Sequence, residues 1–325
     1  MKLKNIQLII VSLFLVGLLA GCQSPAYLTV DFNEGETLRY QFTSDRKVEM
    51  DWQPDGEPEV KKKDAVKKMS ESMDMVVAYT PTEVDPFGVS TVNAKIESID
   101  VDRRSDQQIP FAGSDAATFL RGKEFTLKVL PSGKIVDYSS LDALIKEMGE
   151  KSIRGTDRRI KDPDMVRDFA QTQWFLWDAV SSIKGTASGL NVGNKWKSRE
   201  PFVGPMLIKK GLDVAYELSE ITTGADQTRK AVIDSTYTIT DETDDNWPKP
   251  YSGKFQISGN FGFLRGYTFE DFQGQGKTVF NVDAGVIEKQ EETYTAVMRA
   301  TTPMGDIAKP RITMTQKFTM ELLHD

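Results

Sequence analysis

Nucleophilic and metal chemistry in proteins rests largely on histidine and cysteine, and this 325-residue chain holds one of each, His324 and Cys22. His324 is the penultimate residue, at a chain end where order is commonly lost. A histidine-based triad, a cysteine nucleophile paired with histidine, or a zinc site of His and Cys therefore has nothing to be built from. Acids are abundant, and glycoside hydrolysis needs only two carboxyl groups on one cleft. Such pairs are joined by folding, and no local signature singles out any two. Gly276-Lys277-Thr278 has the end of a phosphate-binding loop, but Asp271 stands where that motif needs its first glycine and no helix is expected to follow. A glycine-rich sheet turn is expected there instead. Asp241-Glu242-Thr243-Asp244-Asp245 gathers oxygens of the kind calcium prefers, yet Asn246 and Ser252 replace the glycine and glutamate of a calcium loop, so a solvated acidic turn is expected. Lys61, Lys62, Lys63, Lys67 and Lys68 form one basic patch, largely cancelled by Asp55, Glu57, Glu59, Asp64 and Glu71. Trp174 and Trp177, three apart, share a face if helical. They are the candidate contacts for a lipid or a partner, with packing against a sheet as the alternative. The inventory predicts no catalytic residue, no metal site and no cofactor, hence a non-enzymatic chain.

The remaining chemistry belongs to Cys22. Lys2 and Lys4 precede an apolar stretch from Leu8 to Leu19, about 12 residues long and interrupted by Ser12 and Gly17. A membrane-spanning helix needs roughly 20 apolar residues, so a cleaved export signal over 1–21 is predicted. The run Leu19-Ala20-Gly21-Cys22 resembles the lipobox of bacterial lipoprotein signal peptides. That resemblance implies a diacylglycerol thioether on Cys22, cleavage between Gly21 and Cys22, and acylation of the new amino group. Gln23-Ser24 is not the aspartate-led pair that retains such proteins in the inner membrane, which implies the periplasmic face of the outer membrane in a cell that has one. Each buried methylene contributes roughly 0.8 kcal/mol, so two or three acyl chains hold a protein stably.

Cleavage would remove Lys2 and Lys4 and no acid, making the formal charge of −7 more negative by two. An acidic surface argues against nucleic acid as a partner. The expected partners are the membrane, through the anchor, and a protein, lipid or glycan of unspecified identity. With Cys22 acylated the mature chain can form no disulfide, and its stability must come from a core.

Positioning falls to strands. Alternation at period two recurs from Leu38, Tyr40 and Phe42, through Met73, Met75, Val77 and Tyr79, and Leu212, Val214, Tyr216 and Leu218, to Ile312, Met314, Phe318, Met320 and Leu322. One apolar and one polar face per strand is the pattern of antiparallel sheet. Pro131-Ser132-Gly133 and Ser258-Gly259-Asn260 are expected to turn hairpins. Helices are expected only near 139–184: one capped by Ser139 or Ser140, and one opened by Asp162-Pro163 and running through Phe169, Trp177 and Val180 to Gly185.

The prediction is a mainly β, β-rich α+β fold of long antiparallel strands in one strongly curved sheet or two successive sheets. Its expected parts are a signal peptide over 1–21, a lipidated cysteine and tether over 22–32, a first β-rich half over 33–138, a helical segment over 139–184 and a second β-rich half over 185–325. Asn33-Glu34-Gly35-Glu36-Thr37-Leu38 and Asn191-Val192-Gly193-Asn194-Lys195-Trp196 open the two halves alike, as a duplication would. The lipobox, Gly35-Glu36-Thr37-Leu38-Arg39-Tyr40, Leu130-Pro131-Ser132-Gly133-Lys134-Ile135-Val136 and Val192-Gly193-Asn194-Lys195-Trp196 together resemble a family of uncharacterised bacterial lipoproteins. That resemblance carries no catalytic residue to transfer.

Overall fold

The computed structural model describes residues 25–324 except 56–64, 107–115, 155–158, 161–164, 185–188, 205–207, 209, 225–226, 245–246, 248–263 and 303–308. The lipobox with Cys22, Lys61–Lys63, the Asp162-Pro163 cap, Gly185 and the Ser258-Gly259-Asn260 turn lie outside the described residues.

The strands are β1 (Leu38–Asp51), β2 (Val66–Val84), β3 (Ser90–Ser105), β4 (Glu124–Val129), β5 (Ile135–Asp137), the two-residue β6 (Ile153–Arg154) and β7 (Arg159–Ile160), β8 (Lys195–Pro201), β9 (Gly211–Thr223), β10 (Arg229–Thr240), β11 (Arg265–Asn281), β12 (Val286–Thr301) and β13 (Arg311–Leu323). Eleven of them form one antiparallel sheet in the order β5-β4-β3-β2-β1-β13-β12-β11-β10-β9-β8, while β6 and β7 pair only with each other. One mainly β, curved and unclosed sheet is thus the architecture, and the alternative of two successive sheets does not apply. Its centre is the pairing of the first long strand with the last, from Arg39 opposite Leu323 to Asp51 opposite Arg311.

The period-two alternation sorts the side chains. Tyr40, Phe42, Val48 and Met50 of β1 and Ile312, Met314 and Met320 of β13 are buried on the concave face, and Thr43 and Thr319 lie on the other, where their hydroxyls bond. The helices fill that concavity: α1 (Ser139–Ser152), α2 (Val166–Trp174) and the single turn α3 (Asp178–Ser181) carry the chain from one edge strand, β5, to the other, β8. Each polypeptide half therefore lines one hydrophobic core with the helices inside it.

The long second helix expected from Asp162-Pro163 to Gly185 is broken at Phe175–Trp177. The break lets Trp177 drop onto Phe32 and Tyr79, at ring-centroid distances of 5.6 and 6.3 Å, while Asp178 reaches Ser198 and Tyr216 on the opposite wall. A straight helix would commit both side chains to fixed positions on one cylinder.

A second correction concerns residues 26–32, assigned above to the tether. Ala26, Leu28, Val30 and Phe32 are buried, and the segment bonds Leu190 at Ala26, Pro131 at Val30 and Gly285 at Asp31. It runs across one open end of the curved sheet as part of the core.

Candidate functional site

Concave faces of half-open sheets are places where polar side chains can gather away from water, and two such clusters occur here. The first is structural. Arg46 lies on the buried parity of β1 between Ser44 and Val48. Its guanidinium donates to Asp168 of α2 at 2.6 and 2.8 Å, to Glu71 of β2 at 2.8 Å and to the side-chain amide oxygen of Gln316 of β13 at 2.9 Å. Ser44 donates to Asp168, Gln316 donates to Ser44, and Arg103 closes the group on Glu71. Burial alone would lower the Arg46 pKa, but Asp168 and Glu71 reverse this and hold it above the ordinary value. With its donors satisfied by two carboxylates and an amide, the cluster is paired and hydrogen-bonded as a buried charge requires. It fastens α2 to the centre of the sheet.

The second cluster faces open space. A cleft of about 400 Å³, counting its open mouth, lies between the end of α2 and the wall made by β1, β13, β12 and β8. Phe42, Phe175, Leu176, Phe318 and Met320 form its apolar side, and Gln171, Glu200, Gln290 and Glu292 its polar side. Glu200, on β8, is 5% exposed and accepts from Gln171 at 2.7 Å. Burial first, then the neighbouring Asp178 and Glu292, push its carboxyl well above the usual range. Asp178 is itself raised by burial and pulled back by hydrogen bonds from Tyr216 at 2.8 Å and Ser198 at 2.9 Å. Glu292 is raised by burial, with Gln290 donating to it. Behind this set, Trp196 stacks on Tyr216 at 5.6 Å. The cleft thus offers an apolar wall that ends in protonatable carboxyls able both to donate and to accept.

Room for these groups comes from β11. Gly274 and Gly276 lie in the middle of the strand, not in the turn expected for Gly276-Lys277-Thr278. A Cβ on Gly276 would meet Ser235 Oγ at 2.5 Å and the Glu291 carbonyl at 2.9 Å, and one on Gly274 would meet Tyr237 at 2.8 Å. The glycines serve cross-strand packing on the concave face. Lys277 points the other way, toward Asp234.

Of the residues singled out by sequence, Trp177 is 3% exposed and belongs to the core, not to a contact surface. Trp174 is half-buried, packed at the edge of that core. Asp241 and Glu242 lie in the exposed turn expected, paired with Lys210 and Arg199. Among the described residues no group of three or more His, Cys, Asp or Glu is arranged to hold a metal. Sequence reading missed Arg46, Glu71, Asp168, Glu200 and Glu292. The available signal was parity, because Arg46 falls in register with Tyr40 and Phe42, and Glu292 with Tyr294 and Ala296, positions that the alternation assigns to the core.

No protein-family model matches the chain, and no curated protein matches it in sequence. Among solved structures it is similar to lipovitellin, in a structure concerned with lipid–protein interactions, with a TM-score of 0.45 and 9% identity over 90% of this chain and 26% of that one. The chain thus spans about a quarter of lipovitellin. Pseudomonas aeruginosa OccK5 (OpdH) gives a TM-score of 0.26 at 7% identity, covering 89% of this chain and 99% of that one. Pseudomonas aeruginosa OpdQ gives 0.25 at 9% identity, covering 89% and 100%. None of the three is close enough to lend this chain a function.

Proposed function

We propose that this protein is a bacterial envelope lipoprotein, anchored through Cys22 on the periplasmic face of the outer membrane, with a non-catalytic binding role carried by the cleft beneath α2. The observation that carries the binding role is the cleft itself, apolar along Phe42, Phe318 and Met320 and ending in the carboxyls of Glu200 and Glu292. A ligand with an apolar body and a hydrogen-bonding head complements both sides.

A second reading, a carrier or chaperone for lipid or acyl chains, is favoured by one specific observation: three aromatic or sulfur side chains from β1 and β13 face Phe175 and Leu176 across the cleft. Native mass spectrometry of the mature domain bearing Cys22→Ser, expressed in its own envelope compartment, tests both. A retained acyl lipid supports the carrier. A retained small molecule that is not a lipid supports the general binding role. A clean apo mass, together with no rise in melting temperature on adding phospholipid, counts against the carrier and sends the search to protein and glycan partners. Turnover of an envelope glycan, abolished by Glu200→Gln, would overturn the non-catalytic reading.

A further inference from the structure

Which side of the molecule faces the membrane follows from where its exposed apolar side chains fall. The strands run between two rims. At one rim lie the start of β1, the β2–β3 turn, the β4–β5 turn, the entry to β8, the β11–β12 turn and the end of β13. The N-terminal segment crosses this same rim, bonding Leu190, Pro131 and Gly285 in succession. Six large apolar residues are exposed among those described: Tyr27, Val66, Phe87, Phe119, Val136 and Val192. Four of them, Tyr27, Phe87, Val136 and Val192, sit at this rim, and Val66 sits at the opposite one.

Phe87 stands out at 85% exposed. It is held there by a tight turn in which Asp85 accepts from the backbone N–H groups of Phe87 and Val89 at 2.8 and 2.9 Å, and Gly88 has a φ of 78°. The turn backs onto the β4–β5 hairpin, with Gly88 close against Pro131. At the other end of the crossing segment, Tyr27 lies over Gly189, next to the Val192 turn. Four residues of extended chain, about 13 Å, separate the bond at Ala26 from the bond at Val30. The rim carries the exposed acids Asp31, Glu34, Glu36 and Glu83, besides Asp85, which caps its turn, and Asp283, which pairs with Arg229. This favours a zwitterionic over an anionic bilayer.

We propose that this rim docks on the bilayer surface, with Phe87, Tyr27, Val136 and Val192 in the headgroup region. The proposal rests on the anchored-lipoprotein reading. Cys22 is three residues from Pro25, a reach of at most about 11 Å, so an acyl chain there places this rim and not the opposite one at the lipid. Aromatic side chains favour that interfacial depth.

With Cys22 acylated, an introduced cysteine is the only free thiol. Full-length lipidated Phe87→Cys, Val192→Cys and, at the opposite rim, Asp241→Cys proteins would each be spin-labelled, reconstituted in phosphatidylcholine vesicles and exposed to dissolved oxygen or a water-soluble nickel complex. The expected result is greater accessibility to oxygen than to nickel at 87 and 192, with the order reversed at 241. Nickel-dominated accessibility at all three sites, in protein whose intact mass shows an acylated Cys22, overturns the docking rim and leaves the anchor standing. An intact mass with unmodified Cys22 overturns the anchor reading and the orientation with it.

Discussion

Glu200 shows how a single carboxyl couples the cleft to pH. Its pKa in the folded protein is raised, by burial first and then by Asp178 and Glu292. In the unfolded chain it loses its proton near the ordinary glutamate value of about 4.3. Between those two values the folded state binds more protons than the unfolded one, so the stability owed to this group is fully present at lower pH and drains away as pH rises. Asp178 and Glu292, also raised, act in the same direction. Glu200→Gln keeps the hydrogen-bonding shape and removes the titration. Its melting temperature is expected to fall less than that of the parent between pH 5 and pH 8, compared in calorimetric scans at matched ionic strength. An unchanged slope would show that the group is ionised and solvated in the native state.

Among the elements, α2 is the one fastened to the sheet's centre by a buried ion pair. Nine residues of helix are too short to be stable alone, and Met165 at the N-cap position makes no side-chain cap hydrogen bond. What holds it is packing, with Phe169 on Phe125, and the ion pair of Asp168 with Arg46 at the sheet's centre. Removing one partner of a buried pair commonly costs about 3 to 5 kcal/mol, because the other charge is left uncompensated. Arg46→Met strands Asp168, whereas Glu71 retains Arg103. Chemical denaturation is expected to show a loss of that size for Arg46→Met. Arg46→Met combined with Asp168→Leu is expected to recover part of it, since the stranded carboxylate is then gone. Equal losses in the single and double variants would mean that the helix is held by its apolar side alone.

The whole molecule is organised around a seam between its ends. β1 and β13 are neighbours at the middle of the eleven strands, so the sheet's centre forms only once the last residues of the chain are in place. The contacts that join the halves are long in sequence, such as Arg46 with Gln316 and Tyr40 with the Ile287 carbonyl. Such topologies fold slowly and cooperatively, because loop closure must precede the contacts that reward it. Deleting 311–325 is therefore expected to abolish cooperative unfolding of the entire domain rather than to remove one strand from an intact remainder. A truncated chain that still melted in a sharp transition, followed by near-ultraviolet circular dichroism, would show that the first five strands and the helices fold without the seam.

Much of the fold was legible because strand periodicity is local. Tyr40, Phe42, Met73, Met75, Val214 and Tyr216 report their buried face through neighbours two residues away, and Gly133, with φ of 82°, marks the β4–β5 turn at the Pro131-Ser132-Gly133 position where turn chemistry placed it. The long helix expected near Trp177 failed because the break is set by partners on Phe32, Tyr79 and Tyr216, all far away in sequence. Residues 26–32 looked like a tether because a single extended segment of alternating burial that covers an open end has no partner nearby in sequence. The scarcity of histidine and cysteine was readable from the amino acids alone, since an inventory needs no geometry. The meeting of Glu200, Asp178 and Glu292 was not, because a carboxyl pKa depends on what surrounds it after folding. Nor was the clustering of Tyr27, Phe87 and Val192 at one rim, because strand register alone brings those turns to the same end of the sheet.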